Sequence, residues 1–426
     1  MDVEIVKKNG RKFRLSDYGV VKDFVVDSID REVVRDSVDG RPGSLEYGVN
    51  EGDRSISVPF ILKAKDLHDY AHLRDELYSL LGDREPFYIR EMRRPKTLQY
   101  DFVGFGQKPK WSAQTDNEYV NGRQYLVRLD STISPSQKGI RGEVTLEFVT
   151  SGLPYAETTY TTLELHDSGY AATAEKYGLV DNIDDEKVKY RFKPNLDVIS
   201  FNIPNAWETG SINSTTGVLT ENADNIRTKN FTSIIPGKEY TIKEATGNPN
   251  LRQIWAMEYD SSDNFVGWVA TPFNGPVETT FIARGSKLKF RTFMNTGNTA
   301  EPSDIGVSIL PELTSTADVS TYTVYNAGNV AVEPESAYLV INVKDMQSTS
   351  GFKIENKSTG EAHEHTYLMG VPRNYEVRGL NVIRGGVNVF KYTNRRFISL
   401  KPGDNLIEVS GGTFSEINFD FKYLYK

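Results

Sequence analysis

Two kinds of side chain in this 426-residue chain could do chemistry at a surface: exposed aromatics and arginines. Sugar rings offer apolar C–H faces that stack on indoles and phenols, and polar side chains take the hydroxyls. Three of the four tryptophans, Trp207, Trp255 and Trp268, fall between residues 198 and 313, with Tyr259, Phe265, Phe273 and Phe293 in the same stretch. Arg252 and Arg291 are at hand as hydroxyl partners. In IWAMEYD, period two puts Trp255, Met257 and Tyr259 on one face of a strand and Ile254, Ala256 and Glu258 on the other. One set must point inward, and the pattern leaves open which. The candidate sugar contacts are Trp255, Tyr259, Trp268, Arg252 and Arg291.

Other chemistries find less support. The chain has no Cys, no G-x-S-x-G, no H-E-x-x-H and no P-loop, so no catalytic residues are assigned and no enzyme is expected. His68 and His72 stand four apart on a helix, without the glutamate of a metalloprotease motif, and read as surface residues. His363 and His365 share one side of a strand and read as surface or interface residues. Asp260, Asp263 and Asp304 lack the spacing of a calcium loop. No metal and no cofactor are expected. A net charge of -8 disfavours a dedicated nucleic-acid binder. No apolar run is long enough to span a membrane, and the N-terminus lacks the apolar core of a signal peptide, which implies synthesis in a cytoplasm.

The elements that must position these residues are strands. Near the N-terminus, Asn9-Gly10 between alternating runs signals a hairpin. A loop with Gly40, Pro42 and Gly43 follows, then the strand RSISVPFIL. The one clear helix is capped by Asp66, carries the stripe Leu67, Tyr70, Leu73, Leu77, Leu80 and Leu81, and ends at Gly82. Residues 107–123 are polar and read as an extended arm, on which Trp111 and Tyr119 would be interface anchors. From about Tyr322 to the end, runs of about five residues alternate between turns, arguing a half-buried antiparallel sandwich. Ile417, Phe419 and Phe421 form the inward face of its last long strand, and VKYRF near residue 190 is expected to neighbour TYTVYNAG. Between them, about eight short strands over about 115 residues fit a jelly-roll. The fold class is mainly β.

These strands carry a resemblance. TVYNAG, VEPESAYLVINV, GFKIENKSTGE and FISLKPGDNLIEVSG, in that order, resemble the C-terminal domain of siphophage distal tail proteins. The N-terminal order of strands, helix, long hairpin and EVTLEFVTSGLPYAE resembles the first domain of the same family. GSINSTTG, IRTKNF, PGKEYTI and YDSSDNFV are similar to carbohydrate-binding modules inserted in phage baseplate proteins. The resemblance implies an N-terminal ring and belt domain with one helix over residues 1–155. It implies a discontinuous galectin-like sandwich over 156–197 and 314–426, and an inserted jelly-roll module over 198–313. It further implies a homo-hexameric hub in the virion of a phage of a Gram-positive host, at the tail tip or baseplate. Its neighbours would be the tail tube protein and the tail-associated lysin or tip protein. DNA would pass through the lumen without specific binding, and a host cell-wall glycan is the partner implied for the insert. Two alternatives are the N-terminal region of a tail-associated lysin and a sugar-binding adhesin outside any virion. Against the first, the chain ends at Lys426 with no room for a peptidase.

Overall fold

The computed structural model describes residues 1–37, 39–40, 42–92, 122–168, 187–201, 204–244, 252–270, 277–294, 299–305 and 311–426. It is built of antiparallel strands, with helices at Leu67–Leu81 and Thr162–Ser168 among the described residues. By internal contacts it divides into two compact units, Met1–Lys193 with Thr321–Lys426, and Pro194–Ser320.

In the first unit the Asn9-Gly10 turn forms as the sequence dictates. Gly10 adopts a φ of 83°, and strands Asp2–Val6 and Lys12–Arg14 pair across it. Strand Ser55–Lys63 alternates strictly, burying Ile56, Val58, Phe60 and Leu62, and pairs with Arg141–Thr150. The Leu67–Leu81 helix packs Tyr70, Leu77, Leu80 and Leu81 into the same core. Asp66 caps it by accepting from the backbone N–H of His68 and Asp69, each at 2.8 Å. Asp66→Ala should therefore lower the unfolding free energy by about 1 kcal/mol, read by urea denaturation. Leu67 departs from the expected stripe and is 66% exposed. Gly82 closes the helix with an ordinary negative φ; it is needed because a Cβ there would stand 2.8 Å from the Tyr78 carbonyl oxygen.

One element was not foreseen. Strands Arg31–Ser37 and Ser44–Glu51 form a hairpin that, among the described residues, pairs only with itself, where a loop was expected. Nearly all its residues are exposed, including Val34, Tyr47 and Val49. At its root Glu51 accepts from Tyr155 Oη at 2.5 Å and Lys426 Nζ at 2.6 Å.

The C-terminal residues form two facing sheets, with Ile341, Tyr375, Ile417, Phe419 and Phe421 in the core between them. The turn residues of the sequence motifs are buried polar braces. Asn326, in YNAG, donates to the carbonyls of Val330 and Leu400 at 3.0 Å and accepts from Gly328 N–H at 2.9 Å. Asn405, in PGDN, donates to the Lys401 carbonyl at 2.8 Å and accepts from Asn356 at 3.0 Å. Strand Arg191–Phe192 pairs with Glu416–Phe421, not with the strand containing TYTVYNAG as expected. The two segments instead meet through side chains, Phe192 stacking on Tyr322 with centroids 4.8 Å apart. The region expected as strands at 387–392 and 396–400 is shorter in regular structure, with a single helical turn at Phe390–Tyr392.

The Pro194–Ser320 unit has a four-stranded sheet and a six-stranded sheet with a core of Trp207, Ile226, Ile254, Ala256, Phe290 and Leu313.

Candidate functional site

In the six-stranded sheet of the second unit, strand Arg252–Tyr259 lies between Lys287–Met294 and the edge strand Phe265–Ala270. Both its faces are covered. Ile254 and Ala256 point into the main core. Met257 and Tyr259 point the other way, into a small second core with Ile212. That core is roofed by the short hairpin Ser211–Ile212 with Leu219–Thr220. Two arginines pin the hairpin down. Arg227 donates to the carbonyls of Ser211 and Thr220, each at 3.0 Å, and Arg291 donates to the Ile212 carbonyl at 2.8 Å. Gly217 sits at the turn with a φ of 69°, and a Cβ there would press within 2.6 Å of Phe265.

Beyond the edge of that roof the outer face opens. Trp255 lies between the Arg291 guanidinium, 4.4 Å from its ring, and the Trp268 indole, whose centroid is 4.5 Å away at an interplanar angle of 16°. Register explains the stack: Arg291 is directly opposite Trp255, and Trp268 is opposite Met257 on the same face. Trp268 is 45% exposed. The Trp255 Nε1 and the Arg291 Nε are buried donors with no hydrogen-bond partner among the described residues. Burial holds Arg291 below the ordinary guanidinium range. An exposed indole over a fixed cation–π base is a rigid platform for an apolar ring face.

Of the expected sugar contacts, then, the structure brings Trp255, Trp268 and Arg291 together. Tyr259 is not available to a ligand. It is 5% exposed and donates to the Gly217 carbonyl at 2.7 Å, and burial pushes its pKa up to about 12. Its role is to hold the hairpin roof. Arg252 begins the strand opposite Met294, and its side chain lies outside the described residues. Trp111 and Tyr119, with the expected arm, also lie outside them. Arg227 was missed from sequence, since only the Gly210 and Gly217 turn signals hinted at a roof for it to pin.

The carboxylates considered for calcium are occupied. Asp260 accepts from the backbone of Ser262 and Asn264 in its own turn, and Asp263 pairs with Lys287 at 2.7 Å. Asp304 closes a capping box with Glu301. No metal-binding cluster is found among the described residues. His68 and His72 meet edge to face, 5.5 Å apart, at the surface. His363 and His365 are not at the surface as expected. Both are buried, because their side of strand Glu361–His365 faces the opposing sheet, where His363 meets Tyr375 Oη at 2.8 Å.

Residues 8–150 match the family model of the phage tail protein RIFT-related domain. The chain carries a phage tail domain. Its place is accordingly the tail of a virion, as the resemblance read from the sequence implied. No curated protein matches the chain. Among solved structures, the crystal structure of the SPP1 Dit (gp 19.1) protein is 10% identical, with 99% of each chain covered and a TM-score of 0.45. That protein is described as a paradigm of the hub adsorption apparatus in phages that infect Gram-positive bacteria. The phage p2 baseplate in its activated conformation with Sr is 8% identical over 99% of this chain and 97% of that one, with a TM-score of 0.33. The corresponding structure with Ca is 7% identical over the same shares, with a TM-score of 0.32. At these scores the likenesses carry no further argument.

Proposed function

We propose that this tail protein is a distal tail hub, a ring of six copies joining the tail tube to the tip, and that it has no catalytic role. The tail-domain match over residues 8–150 carries the reading. The Arg31–Glu51 hairpin supports it. An isolated two-stranded ribbon is marginal in water, and among the described residues its two edges are open, presenting rows of unpaired N–H and C=O groups. A second copy of the chain supplies a partner for those edges and for Val34, Tyr47 and Val49. The acidic balance of the chain suits a lumen through which DNA slides, since affinity for DNA comes from neutralising phosphates. Electron microscopy of the purified full-length protein should show rings. Val34→Lys with Tyr47→Lys and Val49→Lys should leave single molecules of unchanged stability. A parent protein that stays monomeric at high concentration and beside its tail neighbours would falsify the hub.

The 194–320 unit is, in the same proposal, a module for host cell-wall glycan. Trp268 is its platform, with Trp255 and Arg291 as the base of the stack. Repetition around a ring would raise avidity above single-site affinity. Trp268→Ala in the full-length protein should weaken retention on immobilised cell-wall saccharides by about 2 kcal/mol per site, roughly 30-fold. Retention equal to that of the parent would remove the site assignment and leave the hub reading intact.

A further inference from the structure

A second cluster of chemistry lies at one end of the C-terminal sandwich. On strand Met369–Arg378 the side chain of Tyr375 points inward and is fully buried. Arg373, two residues earlier, shares that inward face, and Arg384 sits directly opposite Tyr375 on the neighbouring strand Asn381–Arg384. The two arginines thus share one side of the sheet at its open end, Arg384 half-buried and Arg373 exposed, with the buried Val377 and Val382 one step further in. Arg373 crosses the adjacent turn closely enough that a Cβ on Gly385 would lie 2.7 Å from its Cδ.

No described carboxylate answers these charges. Among the described residues neither guanidinium has an ion pair, and the nearby Glu376 is turned to Arg378 at 3.0 Å. Arg384 is held in place by donating from Nη2 to the Val371 carbonyl, which leaves its buried Nε without a partner. On the opposing sheet His365 is 3% exposed and packs against Tyr375, and its Nδ1 is also buried and unpartnered among the described residues. Burial and the neighbouring Arg373 both hold Arg384 below the ordinary guanidinium range. Two like charges side by side are unfavourable alone, and an anion between them relieves that repulsion.

Beside the cluster lies an aromatic shelf. The His365 ring is 6.2 Å from Tyr392, which stacks on Tyr367 at 5.0 Å and an interplanar angle of 25°. Tyr367 is largely exposed, and Lys391 Nζ stands 4.7 Å from the Tyr392 ring centroid, adding a third cation.

We propose that this end of the sandwich is an oxyanion site, with Arg373 and Arg384 gripping a phosphate group and the Tyr367–Tyr392 shelf receiving a sugar ring esterified to it. Guanidinium forks match phosphate oxygens in geometry, and tyrosine faces match the C–H face of a pyranose. The site is separate from the Trp255–Trp268 stack and stands or falls independently of it.

Isothermal titration of the full-length protein at low salt tests the proposal, with inorganic phosphate and glucose 1-phosphate as probes. Both should bind, and Arg373→Gln and Arg384→Gln should each weaken binding by about tenfold or more. Tighter binding of glucose 1-phosphate supports the site with the ester as its ligand. Equal binding supports it with free phosphate as its ligand. Absence of binding, or binding that both variants retain at parental strength, overturns it. Arg373 is at the surface, so Arg373→Gln keeps the test decisive if Arg384→Gln fails to fold.

Discussion

Arg284→Met should lower the stability of the 194–320 unit by about 3 kcal/mol. Glu258 is fully buried at the end of the inward face of its strand, and its carboxylate accepts from Arg284 three times. One of the three bonds, from the Arg284 backbone N–H at 2.7 Å, survives the substitution. The two from the guanidinium do not, and a buried carboxylate is left without its cation. Losing one partner of a buried pair costs about 3–5 kcal/mol. The lower figure applies because the Arg284 side chain is 54% exposed and water partly screens its charge. Methionine keeps much of the aliphatic stem, so packing changes little. Hydrogen exchange of the Arg252–Tyr259 amides reads the effect. The double variant Glu258→Met/Arg284→Met should recover most of the loss, since an apolar replacement of a buried pair is often near neutral. A single variant within about 0.5 kcal/mol of the parent would show that the carboxylate is already satisfied without the guanidinium.

Glu258 also shows how far the sequence could be read. Its place opposite Trp255 and Met257 follows from alternation alone. What alternation could not decide was which face is buried, because here both are. One lies on the main core, and the other is roofed by a hairpin some forty residues upstream. Tyr259 was therefore a reasonable sugar contact on paper and a packing residue in the fold. Local signals fared better. The Asn9-Gly10 turn and the Asp66 cap depend on a few adjacent residues, and each forms as expected. The Arg31–Glu51 hairpin was invisible for the converse reason: with no face to bury, REVVRDS and SLEYGVNE carry no hydrophobic alternation to detect.

Long-range partners were the other gap. The burial of His363 and His365 comes from a sheet whose nearest strand is separated from them by a turn, and nothing within AHEHTY reports it. The arginine pair at 373 and 384 was missed likewise. Each residue looks like an ordinary strand-end cation, and only the register that sets Arg384 opposite Tyr375, two residues from Arg373, puts them on one face.

The burial of these histidines makes the C-terminal sandwich acid-sensitive. In the unfolded chain His365 takes up its proton near pH 6.5, whereas in the fold its pKa is lowered to about 4. Burial is the main cause, followed by His363 and then Arg384. His363 is shifted the same way, mostly by burial, with the Arg396 carbonyl and Glu364 opposing. Tyr375 also packs against His365, and burial pushes its hydroxyl up, so it supplies no compensating negative charge in this range. Between about pH 6.5 and 4 the unfolded state therefore binds more protons than the folded one. Stability is complete above that window and falls as pH falls through it, by at most about 3 kcal/mol from His365. Denaturant unfolding at a series of pH values from 7.5 to 4.5 measures this. His365→Gln cannot titrate, so whatever its stability at pH 7.5, its loss on acidification should be smaller than the parent's. Parallel profiles for the two proteins would mean that His365 is protonated as easily in the fold as out of it.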